Sequence, residues 1–385
     1  EAARYFKMSA DRGNSYAMFN IGKMLKKGES IKCDKAEAAK YLQKSADDGN
    51  IFAMNSYAAM LFSGDGIRMN KIEAARYYKL AADQGNFKAM NYYGQMLREG
   101  DGIQMNKKEA ALYIKQSADQ GNTEAMVAYG DMLYKGEVDN KIDKSEAAHY
   151  YKLAADSGNI KAMTIYGNML QKGDGIARQE EEAQHYLQLA ITLQKNAPTT
   201  NNYLVVSERN EHNHYMQLSA DIGKLDTSNS SNVSGANGGG DDDIIITNRD
   251  PLYYKTSADN GNTYAMYIYG YMLREGDGIA VDKKEAARYF KMSADKGNTS
   301  AMNNYGLMLY NGDGIPMNKK EAAKYFKLSA DKGNTNAMNN YGFMLHEGDG
   351  IPIDMKEAIK YIKLSADQGN TNAMYIYGNT LYMGD

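Results

Sequence analysis

The sequence contains few residues whose types and spacing could do chemistry. His212 and His214 form a His-x-His pair, a spacing that a metal ion accepts, but no cluster of cysteines or carboxylates completes a site. The recurring Gly-Asp-Gly triplets lack the alternating acidic positions and the terminal Glu of a calcium loop. We therefore predict no metal site and interpret the triplets as turns.

Possible nucleophiles and phosphate loops are equally isolated. Cys33, the only cysteine, has no neighbouring histidine that could activate its thiol. The Gly-Asp-Gly triplets follow no strand, and no Gly-Lys-Ser/Thr comes after them, so they do not form a phosphate loop. We predict no catalytic site and no cofactor, because no pairing of a nucleophile with a base can be found.

Composition excludes further classes of function. The 385 residues carry 45 Lys plus Arg and 48 Asp plus Glu, so there is no basic excess to neutralise nucleic-acid phosphates. No apolar run approaches the roughly 18 residues of a membrane span. A single cysteine suits a reducing compartment, so we expect a cytoplasmic location. The sequence begins without Met and stops within a repeat, which indicates an excerpt of a longer protein that would carry any targeting signals.

The dominant feature of the sequence is an internal repeat. A Gly-Asn pair recurs with a spacing of 36 residues, apart from one spacing of 37 and one gap of 103. Such a period predicts stacked helical units. The nine pairs begin at Gly13, Gly49, Gly85, Gly121, Gly158, Gly261, Gly297, Gly333 and Gly369.

Each unit predicts two helices. We call the first type the A helix, predicted from about Thr335 to Glu347, and the second type the B helix, predicted from about Lys319 to Asp331. The B helix is rich in Ala, Lys, Glu and Leu, which favour helix. Gly333 is expected to end the B helix, Asn334 to cap the next A helix, and the Gly-Asp-Gly triplet to end that A helix.

Comparing the nine copies divides the A helix lengthwise. Offsets from the glycine of the Gly-Asn pair at +4, +5, +8, +9, +11 and +12 are nearly constant, and they fall between about 20° and 180° around a helix. Offsets +2, +3, +6, +7, +10, +13 and +14 vary and occupy the other half. We predict that the constant half packs and that the variable half faces away from the packing. The predicted structural residues are Ala337, Met338, Tyr341, Gly342 and Leu345, with Gly348 and Gly350 in the turn.

At these residues the pattern resembles the Sel-one-like repeat family, a branch of the tetratricopeptide-like helical repeats. The family's signature residues are matched by Ala337, Tyr341-Gly342, Gly348-Asp349-Gly350 and Glu357-Ala358. The resemblance covers roughly 1–196 and 250–385. It implies a right-handed superhelix that scaffolds complexes, with the A helices lining its concave side. The chain has no Trp, which is common in the family's second helix, and it cannot form the disulfides of some secreted members.

The predicted fold class is therefore an all-α solenoid of about 36-residue helix-turn-helix repeats with an interrupted middle. We predict an N-terminal array over 1–196, a degenerate repeat and flexible Asn/Ser/Gly/Asp-rich linker over 197–250, and a C-terminal array over 251–385. A single continuous superhelix with one damaged unit is the alternative.

The variable half of the A helices is the candidate ligand surface. Repeated asparagines can grip an extended peptide backbone through donor and acceptor, and tyrosines bury a large area at low entropy cost. Two N-terminal counterparts, Lys23 and Asp131, are charged, so the C-terminal array is the better candidate. The predicted peptide-binding groove consists of Tyr264, Tyr267, Tyr271, Asn303, Asn304, Asn339, Asn340, Phe343, Tyr375 and Ile376.

These observations predict a non-enzymatic scaffold or adaptor that holds a protein or peptide partner in its groove. The alternative is a regulatory or substrate-docking repeat region of a larger signalling protein such as a protein kinase. No kinase glycine loop, catalytic Asp loop or Asp-Phe-Gly occurs in these residues. A simpler interpretation of the variable residues is that they form a solvent-exposed surface that binds no ligand.

Overall fold

A computed structural model describes residues 1–196 and 250–383, and within these ranges it contains 19 helices and no strands. The predicted A helix Thr335–Glu347 and the predicted B helix Lys319–Asp331 are confirmed. Helices α1 to α11 span Ala2–Asp11, Ser15–Lys27, Lys35–Asp47, Ile51–Ser63, Lys71–Asp83, Phe87–Glu99, Lys107–Asp119, Thr123–Lys135, Lys144–Asp156, Ile160–Lys172 and Glu180–Asn196. Helices α12 to α19 span Pro251–Asp259, Thr263–Glu275, Lys283–Asp295, Thr299–Asn311, Lys319–Asp331, Thr335–Glu347, Met355–Asp367 and Thr371–Met383.

Local sequence signals set the ends of these helices. The Asn334 side chain accepts a hydrogen bond from the Ala337 amide at 2.8 Å and so caps the A helix α17. Gly348 ends that helix in the left-handed region with φ of 71°. B helices begin with a side-chain cap, in which the Asn318 side chain accepts from the Glu321 amide at 3.1 Å. Each repeat therefore contains the residues that begin and end its own helices.

Along α3–α11 and along α12–α18, each A helix packs between the B helix before it and the B helix after it, and α19 packs against α18 and α1. Glycine at offset +9 allows the close approach to the following B helix. A Cβ atom on Gly342 of α17 would lie 2.7 Å from Ile362 Cγ1 of α18. Beside this crossing, the rings of Tyr341 and Tyr361 meet edge to face with centroids 5.0 Å apart. Ala337, Met338 and Leu345 of α17 are buried with Tyr341 and Gly342.

Hydrogen bonds between consecutive B helices and across repeats reinforce this packing. The Tyr361 hydroxyl donates to Asp331 at 2.5 Å, which connects α18 to the preceding B helix. The Ser365 hydroxyl donates to the Thr335 carbonyl oxygen at 2.7 Å, and Ser329 makes the same bond to Thr299 one repeat earlier. Each bond joins residues 30 positions apart.

The Gly-Asp-Gly turn also connects neighbouring repeats. Asp349 lies 2.8 Å from the Lys319 ammonium, which belongs to the first residue of the preceding B helix. A Cβ atom on Gly350 would lie 2.6 Å from Lys319 Cβ, so only glycine fits at this contact. The interpretation of the triplet as a simple turn is therefore incomplete. Equivalent ion pairs are Lys35–Asp65, Lys71–Asp101, Lys144–Asp174 and Lys283–Asp313.

The described residues form two compact units. One unit contains Glu1–Ala17 together with residues 250–383, and the other contains residues 18–196. The predicted flexible linker and the pair His212 and His214 lie outside the described residues. Across the two described ranges, no helix has the length and apolar character needed to cross a membrane.

Candidate peptide-binding surface

The predicted groove residues lie on the four A helices of one unit, α13, α15, α17 and α19. Six of the ten residues are accessible to different degrees. Tyr264 is 51% exposed. The half-buried residues are Tyr271, Asn304, Asn340, Phe343 and Ile376.

The other four groove residues, all at offset +6, are buried, so the expectation that every variable offset faces away from the packing is wrong at this offset. They are Tyr267, Asn303, Asn339 and Tyr375. The physical reason is that this offset contacts neighbouring helices of the array. Asn303 accepts a hydrogen bond from Asn340 of the next A helix at 3.0 Å. The Tyr267 ring packs against Phe290 with centroids 5.9 Å apart.

The asparagine amides are partly occupied by contacts within the protein. The Asn304 side chain accepts from the Arg274 guanidinium at 2.6 Å and donates to the Ser300 carbonyl oxygen at 2.9 Å. Asn340 donates through its Nδ2 to Asn303, which orients the amide and leaves its Oδ1 without a partner among the described residues. Asn340 is therefore the better-placed acceptor for an incoming N–H group.

The neighbouring Asn339 carries a buried Oδ1 atom that has no hydrogen-bond partner in the described part of the chain. Leaving a buried acceptor unpaired costs about 1–3 kcal/mol. Asn339 is thus a buried polar side chain next to Asn340 in the sequence, which lies at the surface.

Arg274 stands at the edge of this surface. Its guanidinium lies 5.4 Å from the Tyr271 ring centroid and 5.7 Å from that of Phe290, and it pairs with Glu275 at 2.6 Å. These contacts hold the cation against the aromatic rings. Arg274 and Asn304 are thus tied together across two A helices.

We define the stripe as the half-buried residues at offsets +7 and +10 of these A helices. The stripe contains both apolar side chains and amides, which lie on successive A helices. This arrangement could bury the apolar side chains of an extended peptide while amides bond its backbone. The stripe consists of Tyr271, Asn304, Leu307, Asn340, Phe343, Ile376 and Asn379.

Comparison with known families identifies the repeat. The model of the Sel1 repeat matches residues 1–14, 15–50, 51–86, 87–122, 123–159, 160–194, 263–298, 299–334 and 335–370. The chain belongs to the Sel1 repeat family. Helical repeat proteins of this family generally mediate protein–protein interaction.

Two solved structures are similar to this Sel1 repeat chain. A protective antigen of uropathogenic Escherichia coli with an SLR fold is 22% identical, with a TM-score of 0.47, and the match covers 99% of this chain and 83% of that one. A Sel1 repeat protein from Oxalobacter formigenes is 22% identical, with a TM-score of 0.43 and coverage of 73% and 85%. No curated protein matches the chain in sequence.

At offset +10, where the stripe carries an apolar side chain on three of its helices, α8 of the other Sel1 unit carries Asp131. Asp131 accepts a hydrogen bond from the Tyr151 hydroxyl at 2.7 Å. Arg98 pairs with Glu137 at 2.6 Å, and both side chains are only 16% exposed. The hydrogen bond from Arg98 lowers the pKa of Glu137 below its ordinary value.

The Arg98–Glu137 pair was not predicted from the sequence, although the sequence contains a signal for it. Position 137 carries Glu where most copies have the Asp of the Gly-Asp-Gly turn, and position 98 lies at a variable offset in the preceding repeat. Other copies use the same pair of positions for Tyr134 with Asp174 and for Tyr310 with Asp349, each at 2.6 Å. Offset +13 therefore serves contacts between repeats in these copies.

We expect Glu137→Gln to lower the free energy of unfolding by about 1–2 kcal/mol at neutral pH, because Arg98 loses a partly buried partner. The pKa of Glu137 is lower in the folded state, so its stabilisation is present above the ordinary carboxyl pKa and is lost as pH falls through the folded value. Urea unfolding should show the difference between variant and wild type shrinking as the solution is acidified. The exposed Glu99→Gln is the control. A difference that does not change with pH would contradict the assignment.

No three His, Cys, Asp or Glu side chains within residues 1–196 and 250–383 gather closely enough to hold a metal ion. His149 and His185 each lie against a tyrosine ring, Tyr150 and Tyr186 respectively.

Proposed function

We propose that this Sel1 repeat protein is a non-enzymatic scaffold or adaptor that holds an extended peptide segment of a partner protein along the stripe. The observation that carries the proposal is the Asn340 amide, which its bond to Asn303 orients; half-buried Phe343 lies on the same A helix and half-buried Leu307 on the preceding one. A peptide there would gain apolar burial and a backbone hydrogen bond together.

The accessible part of the surface supports the same occupant. Tyr264 offers an exposed aromatic ring at the beginning of α13, and Ile376 extends the apolar surface onto α19. Backbone bonding by amides is independent of peptide side chains, so specificity would come from the apolar positions and from Arg274 at one edge. We propose a cytoplasmic location as well, which remains a prediction from the single cysteine.

The test is selection of short peptides on the intact chain, followed by affinity measurement by fluorescence anisotropy. The stripe variant combines Leu307→Ala, Asn340→Ala and Phe343→Ala. We expect its dissociation constant for the selected peptides to rise at least about tenfold, equivalent to about 1.4 kcal/mol. Circular dichroism of both proteins checks that helix content is equal.

The control variant removes apolar side chains from exposed positions of the B helices in the same unit. It combines Leu328→Ala, Met355→Ala and Leu364→Ala, three residues of comparable exposure to one another. Peptides that bind this variant and the wild type equally, but not the stripe variant, would support the proposal. Equal binding to all three proteins would exclude the stripe as the binding surface.

A further inference from the structure

The exposed sides of the B helices differ in charge between the two units. In α14, α16 and α18, offsets −13, −9, −5 and −1 from the glycine of the Gly-Asn pair lie on the side of the helix opposite its buried alanines. We call these the outer positions. On these three helices they carry eight exposed cations and no carboxylate. The eight are Lys284, Arg288, Lys296, Lys320, Lys324, Lys332, Lys356 and Lys360.

The B helices of the other unit provide an internal comparison. The outer positions of α3, α5, α7 and α9 carry only four cations, although there is one helix more, and Asp48 adds a carboxylate. The four are Lys40, Lys44, Arg76 and Lys108. The nearly balanced charge of the whole chain, 45 basic against 48 acidic residues, therefore conceals a strongly basic surface on one unit.

Ion pairs within the protein leave most of these cations without a counter-charge. Asp331 at the end of α16 lies 3.5 Å from Lys327, which is not at an outer position. Among the eight cations, only Arg288 pairs with a carboxylate in the described part of the chain, that of Glu285 at 2.6 Å. The natural complement of the other seven is an anionic surface outside the chain.

Apolar side chains lie among the cations. Offset −5 carries Met292 on α14, Leu328 on α16 and Leu364 on α18. The two leucines are 46% and 39% exposed. Leu328 lies one helical turn from Lys324 on one side and from Lys332 on the other. The same exposed side of a B helix therefore presents both positive charge and apolar area.

Contacts between B helices bring the outer positions into one surface. The Tyr361 hydroxyl donates to Asp331 at 2.5 Å and joins α18 to α16. The Tyr5 hydroxyl makes the same bond to Asp367 at 2.5 Å and places α1 beside α18. The outer positions of α1 are Arg4, Met8 and Arg12. We call the outer positions of α14, α16, α18 and α1 the basic face.

We propose that the basic face docks this unit on an anionic lipid bilayer. Its cations would contact the acidic headgroups, while its leucine and methionine side chains enter the boundary between headgroups and acyl chains. A bilayer satisfies both properties of the face together. A nucleic acid supplies phosphates but no apolar layer for Leu328 and Leu364, so it fits only the charge.

The first test uses the absence of tryptophan from the sequence. Leu328→Trp in the full-length chain places a single fluorescent reporter in the basic face. Leu153→Trp is the control at the same offset in the other unit, where the native leucine is 39% exposed. Vesicles of phosphatidylcholine and phosphatidylserine should shift the emission of Leu328→Trp to shorter wavelength and leave that of Leu153→Trp unchanged. No shift at Leu328→Trp, or an equal shift at both positions, would overturn the proposal.

Charge reversal tests the cations, and vesicle cosedimentation measures the effect. The test variant combines Lys324→Glu, Lys332→Glu and Lys360→Glu. Its control makes the same change of charge at exposed outer positions of the other unit, with Lys40→Glu, Lys44→Glu and Lys108→Glu. We expect the partition coefficient of the test variant to fall at least about tenfold, and that of the control to stay near the wild-type value. Equal losses in the two variants would overturn the assignment to this face.

The leucines distinguish a bilayer from other anionic partners. Leu328→Ala combined with Leu364→Ala should weaken binding to the anionic vesicles. It should leave unchanged any binding to a DNA duplex or to polyglutamate, which represent a nucleic acid and an acidic protein. Vesicle binding that does not depend on the leucines would reduce the contact to charge alone and overturn the proposal. Circular dichroism checks that helix content is equal in all the variants.

Discussion

Gly342→Leu is expected to lower the free energy of unfolding of the unit by about 3 kcal/mol through overpacking of the α17–α18 crossing. A Cβ atom alone would lie 2.7 Å from Ile362 Cγ1 and 3.1 Å from the Ala358 carbonyl oxygen. The carbonyl belongs to the backbone of α18, so the helices would have to separate. Helix propensity by itself predicts the opposite sign, a gain of about 1 kcal/mol.

Urea unfolding followed by far-UV circular dichroism measures this effect, and the chain offers its own control. Position 58 carries Ala at the same offset and is fully buried. Gly342→Ala should therefore lower the free energy of unfolding less than Gly342→Leu does. Adding Ile362→Ala to Gly342→Ala should recover part of the stability that Gly342→Ala loses. An unfolding curve unchanged by Gly342→Leu would show that the crossing is not as close as described.

Gly350→Ala is expected to cost about 3 kcal/mol, the sum of a left-handed backbone conformation and a steric clash. Gly350 has φ of +77°, and its added Cβ would lie 2.6 Å from Lys319 Cβ and 2.9 Å from the Lys319 carbonyl carbon. The clash is with the backbone of the neighbouring repeat. We therefore expect the contact between the two repeats to be lost together with the Lys319–Asp349 ion pair.

Gly333→Ala separates the two causes. Gly333 has φ of +98°, but a Cβ atom there would have no neighbour within 4 Å. Its cost should be limited to the backbone term of about 1–2 kcal/mol. Thermal or urea unfolding of the two variants in parallel gives the comparison. Equal losses would mean that the Gly-Asp-Gly triplet is only a turn, as the sequence alone predicts.

The helices and their ends could be predicted because each repeat carries its own signals. The bounds of Thr335–Glu347 and Lys319–Asp331 follow from glycines and from the two asparagine caps, Asn334 and Asn318, all local in sequence. Nine copies then multiply each signal. These helix bounds can be predicted without knowledge of any contact between residues distant in the sequence.

The candidate site could be predicted only in part. A position can vary among the repeats because it faces a ligand, or because it packs against another position that varies with it. Phe19 packs on Phe52, whereas at the corresponding positions Tyr375 packs on Tyr16 and Asn303 bonds Asn340. Each pair of A helices uses its own combination at offset +6. Comparison within one chain sees variation there, while the structure shows burial.

The separation of bonded residues along the chain has a consequence for the order of folding. Contacts such as Tyr361 to Asp331 close loops of 30 residues, so each repeat can form as soon as its neighbour exists. The Tyr5 bond to Asp367 spans 362 residues, and closing so long a loop costs about 2 kcal/mol more in chain entropy. Helix α1 should therefore dock last during refolding. It should also exchange its amide hydrogens with solvent well before helix α14, although residues 1–11 and 285–295 have the same sequence.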